Sequence, residues 1–275
     1  MNAAWDRAFP DCLHDDGGRR MATSLKWGLR AMATLPWAQD IGPNPSTDQL
    51  HEVMNSPAQA LIVLDLPPKM APPQDLPQGA WSVARHTRQS TLTHGTDPIE
   101  SWPSTRKKQL KRAEREGMTA HRCTDIPLLV KLHQTARERK GLTSDGHALQ
   151  LLLTELLQEP DTHGWTIQHA NGKVLAGGVF HGDGDRRCIY GFGGQFRSEA
   201  PGESSRATVL LIAAAMREAV KQGNHTFDFG GSMDAGVDRF YAEFGASKVA
   251  KHRLVRVAPR WRLLLKWRRP DLFKP

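Results

Sequence analysis

At 275 residues the chain is long enough for one large domain or two compact ones. Its 39% apolar content allows a buried core, but no run approaches the roughly 20 apolar residues that cross a bilayer. The three cysteines, Cys12, Cys123 and Cys188, are widely separated and show neither metal-ligand spacing nor an even-numbered disulfide framework. The net charge of +8 is concentrated in two places. From Pro103 to Arg122 seven bases stand against two acids, and from Lys248 to Pro275 ten stand against one. The remainder is net acidic, so local anionic contacts are expected rather than a uniformly basic surface. The N-terminus carries Asp6 and Asp11 and has no apolar core like that of a signal peptide, which predicts a cytoplasmic chain with reduced thiols.

In chain order, residues 1 to 48 read as irregular. Within them LPWAQDIGPNP (35 to 45) reads as a loop, because Gly42, Pro43 and Pro45 break regular structure. Ser46 opens a short helix. ALIVLDL (60 to 66) predicts a buried strand, and AWSVARHTRQSTL predicts another after a proline-rich connector. SWPSTRKKQLKRAEREG predicts a helix from about Thr105 to Glu116, capped by Ser104 and closed by Gly117. Lys107, Lys111 and Arg115 share one of its faces. That face is either solvated surface or a rail for phosphates or carboxylates. Asp125 caps IPLLVKLHQTARERKG, and HALQLLLTELLQE is a further amphipathic helix. Three strand-like runs follow, with Asn171–Gly172 and GDGD (182 to 185) as their turns. Ser205 to Gly223 is apolar nearly all round in its first half and predicts a buried helix. NHTFDFGG returns to strand, a short helix follows, and KHRLVRVA closes the series. The order is that of a mixed α+β fold.

FDFGGSMDAGVDRFYAEFGA resembles the closing segment of the FemAB-like branch of the acetyltransferase (GNAT) superfamily. Those proteins move an amino acid from tRNA to an amine in making peptidoglycan cross-bridges, and other relatives are N-acyltransferases. RKKQLKRAEREGM is similar to the family's basic helix, and LPWAQDIGP to a loop near its acceptor cleft, which brings in Trp37. The resemblance covers most of residues 35 to 258. It implies a tandem pair of acyltransferase cores. Residues 1–120 would be a reduced first copy ending in the basic helix, 121–258 the second copy, and 259–275 a basic amphipathic tail. It further implies N-acyl transfer by direct attack, without a covalently bound cofactor. Acyl-CoA, acyl carrier protein or aminoacyl-tRNA would be the donor, and a small-molecule or peptide amine the acceptor. Two positions depart from the pattern. Tyr241 stands where relatives commonly carry a lysine associated with phosphate-bearing acceptors. FRSEAPGESSRA, with Gly202 its only glycine, replaces a glycine-rich pyrophosphate loop. The rival reading is a non-catalytic protein on the same scaffold that binds RNA or a membrane surface through its basic patches.

Candidate roles follow. Asp228 accepts a proton or orients the attacking amine, or else bonds a neighbouring backbone group. Tyr241 is a candidate proton donor or acceptor. Gly230 and Gly231 permit a tight turn or a close backbone approach. Arg106, Lys107, Lys111, Trp37, His181, Tyr190, Ser232 and Arg239 are candidate substrate contacts, and no metal set is expected. Gly177 and Gly178 suggest a strand irregularity that would aim backbone N–H groups at a developing oxyanion. In the tail, Trp261, Leu264, Leu265 and Arg268 recur at helical spacing beside a basic stripe of Arg262, Lys266 and Arg269. Such a helix could lie on the inner face of an anionic membrane, pack on the protein through that apolar face, or contact tRNA.

Overall fold

The computed structural model describes residues 3–11, 13–14, 20–26, 29–38, 45–57, 59–198, 200, 202–231 and 234–273. Contacts divide the chain into two compact units. One holds Met1, Phe9–Thr87 and Val249–Pro275, and the other Asn2–Ala8 and Arg88–Lys248. The described strands are β1 (Leu13–His14), β2 (Arg20–Lys26), β3 (Leu29–Thr34), β4 (Leu61–Asp65), β5 (Ala80–Thr91), β6 (Thr119–Arg122), β7 (His163–Gln168), β8 (Val174–Gly182), β9 (Arg187–Gln195), β10 (Thr226–Asp228) and β11 (Ser247–Val257). The described helices are α1 (Ala4–Ala8), α2 (Thr47–Asn55), α3 (Ser104–Arg115), α4 (Ile126–Glu138), α5 (Gly146–Leu156), α6 (Glu203–Lys221), α7 (Ala235–Ala242) and α8 (Arg262–Arg268). This is the expected mixed α+β class.

In the unit built on Arg88–Lys248 the strands run in the order β5, β10, β9, β8, β7, β6. β6 through β9 pair antiparallel in turn. Helix α6 then carries the chain to β10, which pairs parallel to β9 and antiparallel to the end of β5. The predicted meander forms, with one strand more than the hydropathy shows. β6 is Thr-Ala-His-Arg, a polar edge strand with no apolar alternation to betray it. Caps place the helices. Asp125 accepts from Leu128 N at 3.0 Å, and Asp145 from Ala148 N at 3.0 Å. The expected cap on α3 is corrected: Ser104 is its first helical residue, and Pro103 holds the cap position without a side-chain bond. α6 buries eleven side chains. Each Val, Leu or Ile among them contributes roughly 1.5–3 kcal/mol. α3 packs on it through Leu110 and Ala113.

One irregularity decides where side chains point. Phe180 pairs with Tyr190 but Val179 pairs with Phe192, so Gly191 is an extra residue on β9. Such a bulge breaks the alternation of faces. Tyr190 stacks on Phe180, with centroids 4.6 Å apart, on the α6 side of the sheet. Two residues later, where simple alternation would return the same face, Phe192 instead meets His133 of α4.

Burial pushes the His133 imidazole down to about 4, with Arg137 adding to the effect. His163 and His181 are lowered in the same direction, also mainly by burial. The unfolded chain then binds more protons than the folded one between the folded and ordinary histidine values. The stabilising effect of neutral His133 is therefore present above the ordinary value and lost as pH falls towards about 4. Lowering the pH from about 7 to about 5 should cost this unit about 2 kcal/mol through His133. Urea midpoints at the two pH values check this, and His133→Gln should flatten the difference.

In the other unit the order is β1, β2, β3, β4, β11, β5. The expectation that residues 1 to 48 are irregular is corrected. α1 forms, as part of the Arg88–Lys248 unit, and in this one β2 and β3 pair from Met21↔Thr34 to Lys26↔Leu29. Their small Ala, Thr and Ser residues carry too little hydropathy contrast to read as strands. The predicted helix after Ser46 is α2, with a full capping box between Ser46 and Gln49. It packs Leu50 and Met54 on Ile62 and Leu64 of the predicted strand β4. Asp65 holds Arg253 across the β4–β11 pair with two bonds of 2.8 and 2.7 Å. Cys123 and Cys188 are buried free thiols, and Cys12 lies outside the described residues.

Candidate active site

The parallel pairing of β9 and β10 stops at Ile189↔Asp228. Beyond it, among the described residues, the edge of β9 away from β8 has no strand partner from Tyr190 to Gln195. Alternate backbone N–H and C=O groups on such an edge point into the opening. The opening is a cavity of about 550 Å³, walled by this edge, the C-terminal end of α4, one side of α6 and helix α7.

Both tyrosines of the chain line it. Their rings meet edge to face with centroids 6.4 Å apart. Tyr190 lies flat over bare backbone. A Cβ on Gly178 would stand 2.8 Å from its Cε2, and a Cβ on Gly193 would collide with its hydroxyl. Gly178 thus seats a ring, and the irregularity expected near residues 175 to 180 is present as the register shift between Val179 and Phe180, with its extra residue across the ladder at Gly191. Tyr241 rests on Phe229 at 4.9 Å. Burial pushes both phenols up, and for Tyr190 the neighbouring Tyr241 adds to it. Both are therefore neutral O–H donors at physiological pH.

The turn after β10 is bonded to Asp228. Its carboxylate is wholly buried. It accepts from Gln89 Nε2 at 2.8 Å, Arg187 Nη1 at 3.1 Å and the Gly230 N–H at 2.9 Å. Gly230 and Gly231 both have positive φ, and a Cβ on Gly230 would stand 2.5 Å from the Tyr190 carbonyl oxygen. The close approach expected there is present. At the rim, Lys140 Nζ lies 3.6 Å from Asp234, which also caps α7 by accepting from Val237 N at 2.9 Å. The Val237 N–H and Lys140 hold the Asp234 carboxyl below its ordinary value. Arg139 donates to the Gln195 carbonyl at 3.3 Å.

The remaining candidates are dispersed. Arg106 is buried between Phe240 and Phe244, 4.3 and 4.7 Å from their ring centres, and donates to Glu243 at 2.5 Å. It braces α7 rather than facing solvent. Lys107 donates to the Glu100 carbonyl at 2.7 Å, and Lys111 is exposed on the outer face of α3. His181 is buried against Trp5, Arg239 is exposed on α7, and Ser232 lies outside the described residues. Trp37 belongs to the other unit, in a turn at φ 60°. The sequence reading missed Arg139, Lys140, Gly193, Gly194 and Gln195. The Gly193–Gly194 pair closing a strand was the legible signal; the two cations read as an ordinary helix end.

The segment ahead of α6 does not fit a pyrophosphate. Among its described residues only Gly202 is a glycine. The first-turn acid Glu203 accepts from Ser198 Oγ, and Arg206 is committed to Glu116 at 2.7 Å. Among the described residues, no group of three or more His, Cys, Asp or Glu could hold a metal ion.

A profile described as an acetyltransferase (GNAT) domain matches residues 104–241, half of the chain. A search of curated proteins returns no match. Among solved structures, one titled "Crystal structure of FemX" superposes with a TM-score of 0.65 at 12% identity, covering 95% of this chain and 93% of that one. The C-terminal domain of a putative lysylphosphatidylglycerol synthetase from Agrobacterium fabrum gives 0.59 at 11% identity, covering 96% and 90%. The L-PGS structure from Bacillus licheniformis gives 0.58 at 11%, covering 94% and 88%. These likenesses show a shared fold.

Proposed function

Because the chain belongs to the acetyltransferase (GNAT) domain family, we propose that it is an N-acyltransferase working in the opening between β9 and β10. The observation that carries this reading is the convergence of Tyr190 and Tyr241 on a cavity whose wall is an unpaired strand edge. The amine nitrogen attacks the acyl carbonyl directly. Backbone N–H groups of the β9 edge stabilise the oxyanion, the role preorganised donors serve best. As the bond from the acyl carbon to sulfur or oxygen breaks, Tyr241 gives its proton to the leaving atom and recovers one from the attacking nitrogen. Asp228 acts from behind the site by holding the Gly230–Gly231 turn. Arg139 and Lys140 draw the anionic part of a donor to the rim. Lys107, Lys111 and Arg239 are kept as contacts for the outlying parts of the substrates.

The donor is a thioester or a charged tRNA. The name lysylphosphatidylglycerol synthetase, carried by a protein of like fold, favours an aminoacyl group. So does the poor fit ahead of α6 for a pyrophosphate. Residues 1–120 as a reduced first core, 121–258 as the second and 259–275 as a tail belong to the same proposal.

Native mass spectrometry with acetyl-CoA, longer acyl-CoA and charged tRNA, each with a panel of amines, tests the reading. One donor should bind and its acyl group should appear on an amine. Equal binding of charged and uncharged tRNA with no transfer would replace it with the non-catalytic alternative.

A further inference from the structure

We propose that helix α8 docks the protein on an anionic lipid surface through Leu263 and Trp267. Of the roles expected for the Trp261, Leu264 and Leu265 stripe, the structure has the one in which it packs on the protein. Leu265 is buried with Leu272, Val255 and Val257, and Trp261 and Leu264 pack against the same cluster. Trp81 closes it, donating from Nε1 to the Leu272 carbonyl at 3.1 Å. A second apolar pair is left outside. Leu263 is 84% exposed and Trp267 71%, the two most exposed large apolar side chains among the described residues. They are four residues apart on the helix, so they project together.

The surroundings select the partner. Arg260, Arg262, Lys266, Arg268 and Arg269 are all exposed around the pair. The acid of this segment, Asp271, is held by Arg269 through bonds of 2.9 and 2.8 Å. The Arg268 guanidinium lies 4.3 Å over the Trp267 ring. A tryptophan among cations matches the headgroup level of a bilayer, where its ring sits and anionic lipids attract bases. A second copy of the chain fits poorly, since two such patches would set base against base. Nucleic acid would account for the bases but not for Leu263, which has no face on which a nucleobase stacks. Because the first stripe anchors the helix, docking costs little ordering of the chain.

Co-sedimentation of the full chain tests this, using mixed phosphatidylglycerol–phosphatidylcholine vesicles, pure phosphatidylcholine vesicles and a short RNA. The protein should sediment with the mixed vesicles and only weakly with the pure ones. The double variant Leu263→Ser/Trp267→Ser should bind at least about tenfold more weakly. Its melting temperature should match wild type, because both side chains already face water. Trp267→Ser alone should fall between the two, and Leu151→Ser, exposed elsewhere, should bind as wild type. Undiminished binding by the double variant would overturn the proposal. So would equal binding to both vesicle types, or binding to RNA alone.

Discussion

Asp228→Ala should lower the unfolding free energy of the Arg88–Lys248 unit by about 4 kcal/mol. The side chain is wholly buried, and the substitution removes the acceptor for Gln89, Arg187 and the Gly230 N–H together. Breaking a buried pair from one side costs about 3–5 kcal/mol, because the other charge stays behind without its partner. Here Arg187 keeps a second acid, Asp183, at 2.6 Å, which limits the loss. Asp228→Asn should cost less, about 2 kcal/mol, since its amide oxygen still accepts from Gly230 while its NH2 faces two donors. Denaturant midpoints of the two variants measure both numbers. Folded Asp228→Asn should also retain most of the turnover, as expected of a residue that positions a turn. A loss of turnover as large as that of a reacting residue, with the fold intact, would return Asp228 to the chemistry. An alanine variant within 1 kcal/mol or so of wild type would mean that the turn does not depend on it.

Tyr241→Phe should lower kcat about a hundredfold with KM little changed. The substitution removes one hydroxyl from the cavity and leaves the ring on Phe229, so stability should move little. A proton-donating phenol contributes in the transition state, as the leaving atom gains charge, and that is the signature of a kcat effect. Both phenols are held above their ordinary range by burial. The pH–rate profile should therefore show no alkaline fall from either of them below about pH 10. Tyr190→Phe tests the same wall from the other side. Its hydroxyl lies against Gly193, so its loss should act on binding more than on turnover. Wild-type turnover in Tyr241→Phe would remove it from the mechanism.

Much of the fold was legible from neighbours along the chain. Asp125 as a cap, the Ser46 helix, the apolar ALIVLDL strand and the buried helix before Asn224 each declare themselves within a turn or two of residues. The misses share a cause. β2, β3 and β6 are built from small or polar residues that carry no hydropathy signal; β2 and β3 are strands because they pair with each other, and β6 because β7, far along the chain, supplies its hydrogen bonds. Charge misled in the same way. Arg106 sits in a run of bases and reads as a candidate substrate contact, yet two phenylalanines and Glu243, more than a hundred residues on, take it into the interior.

The site divides along the same line. The sequence by itself determined that an acid, two glycines and a short aromatic helix follow one another from Asp228 to Phe244. It also determined that strand and helix would alternate around them, because caps, periodicity and turn chemistry act over a few residues. Only the tertiary structure decided that Tyr190 and Tyr241 meet, that Gly178 and Gly193 clear the floor for a ring, and that Asp228 is buried with its carboxylate on the Gly230 N–H. Those outcomes hang on one extra residue at Gly191 and on where the pairing of β9 and β10 stops. Both are set by the balance of packing among α4, α6 and the sheet, which no local pattern records.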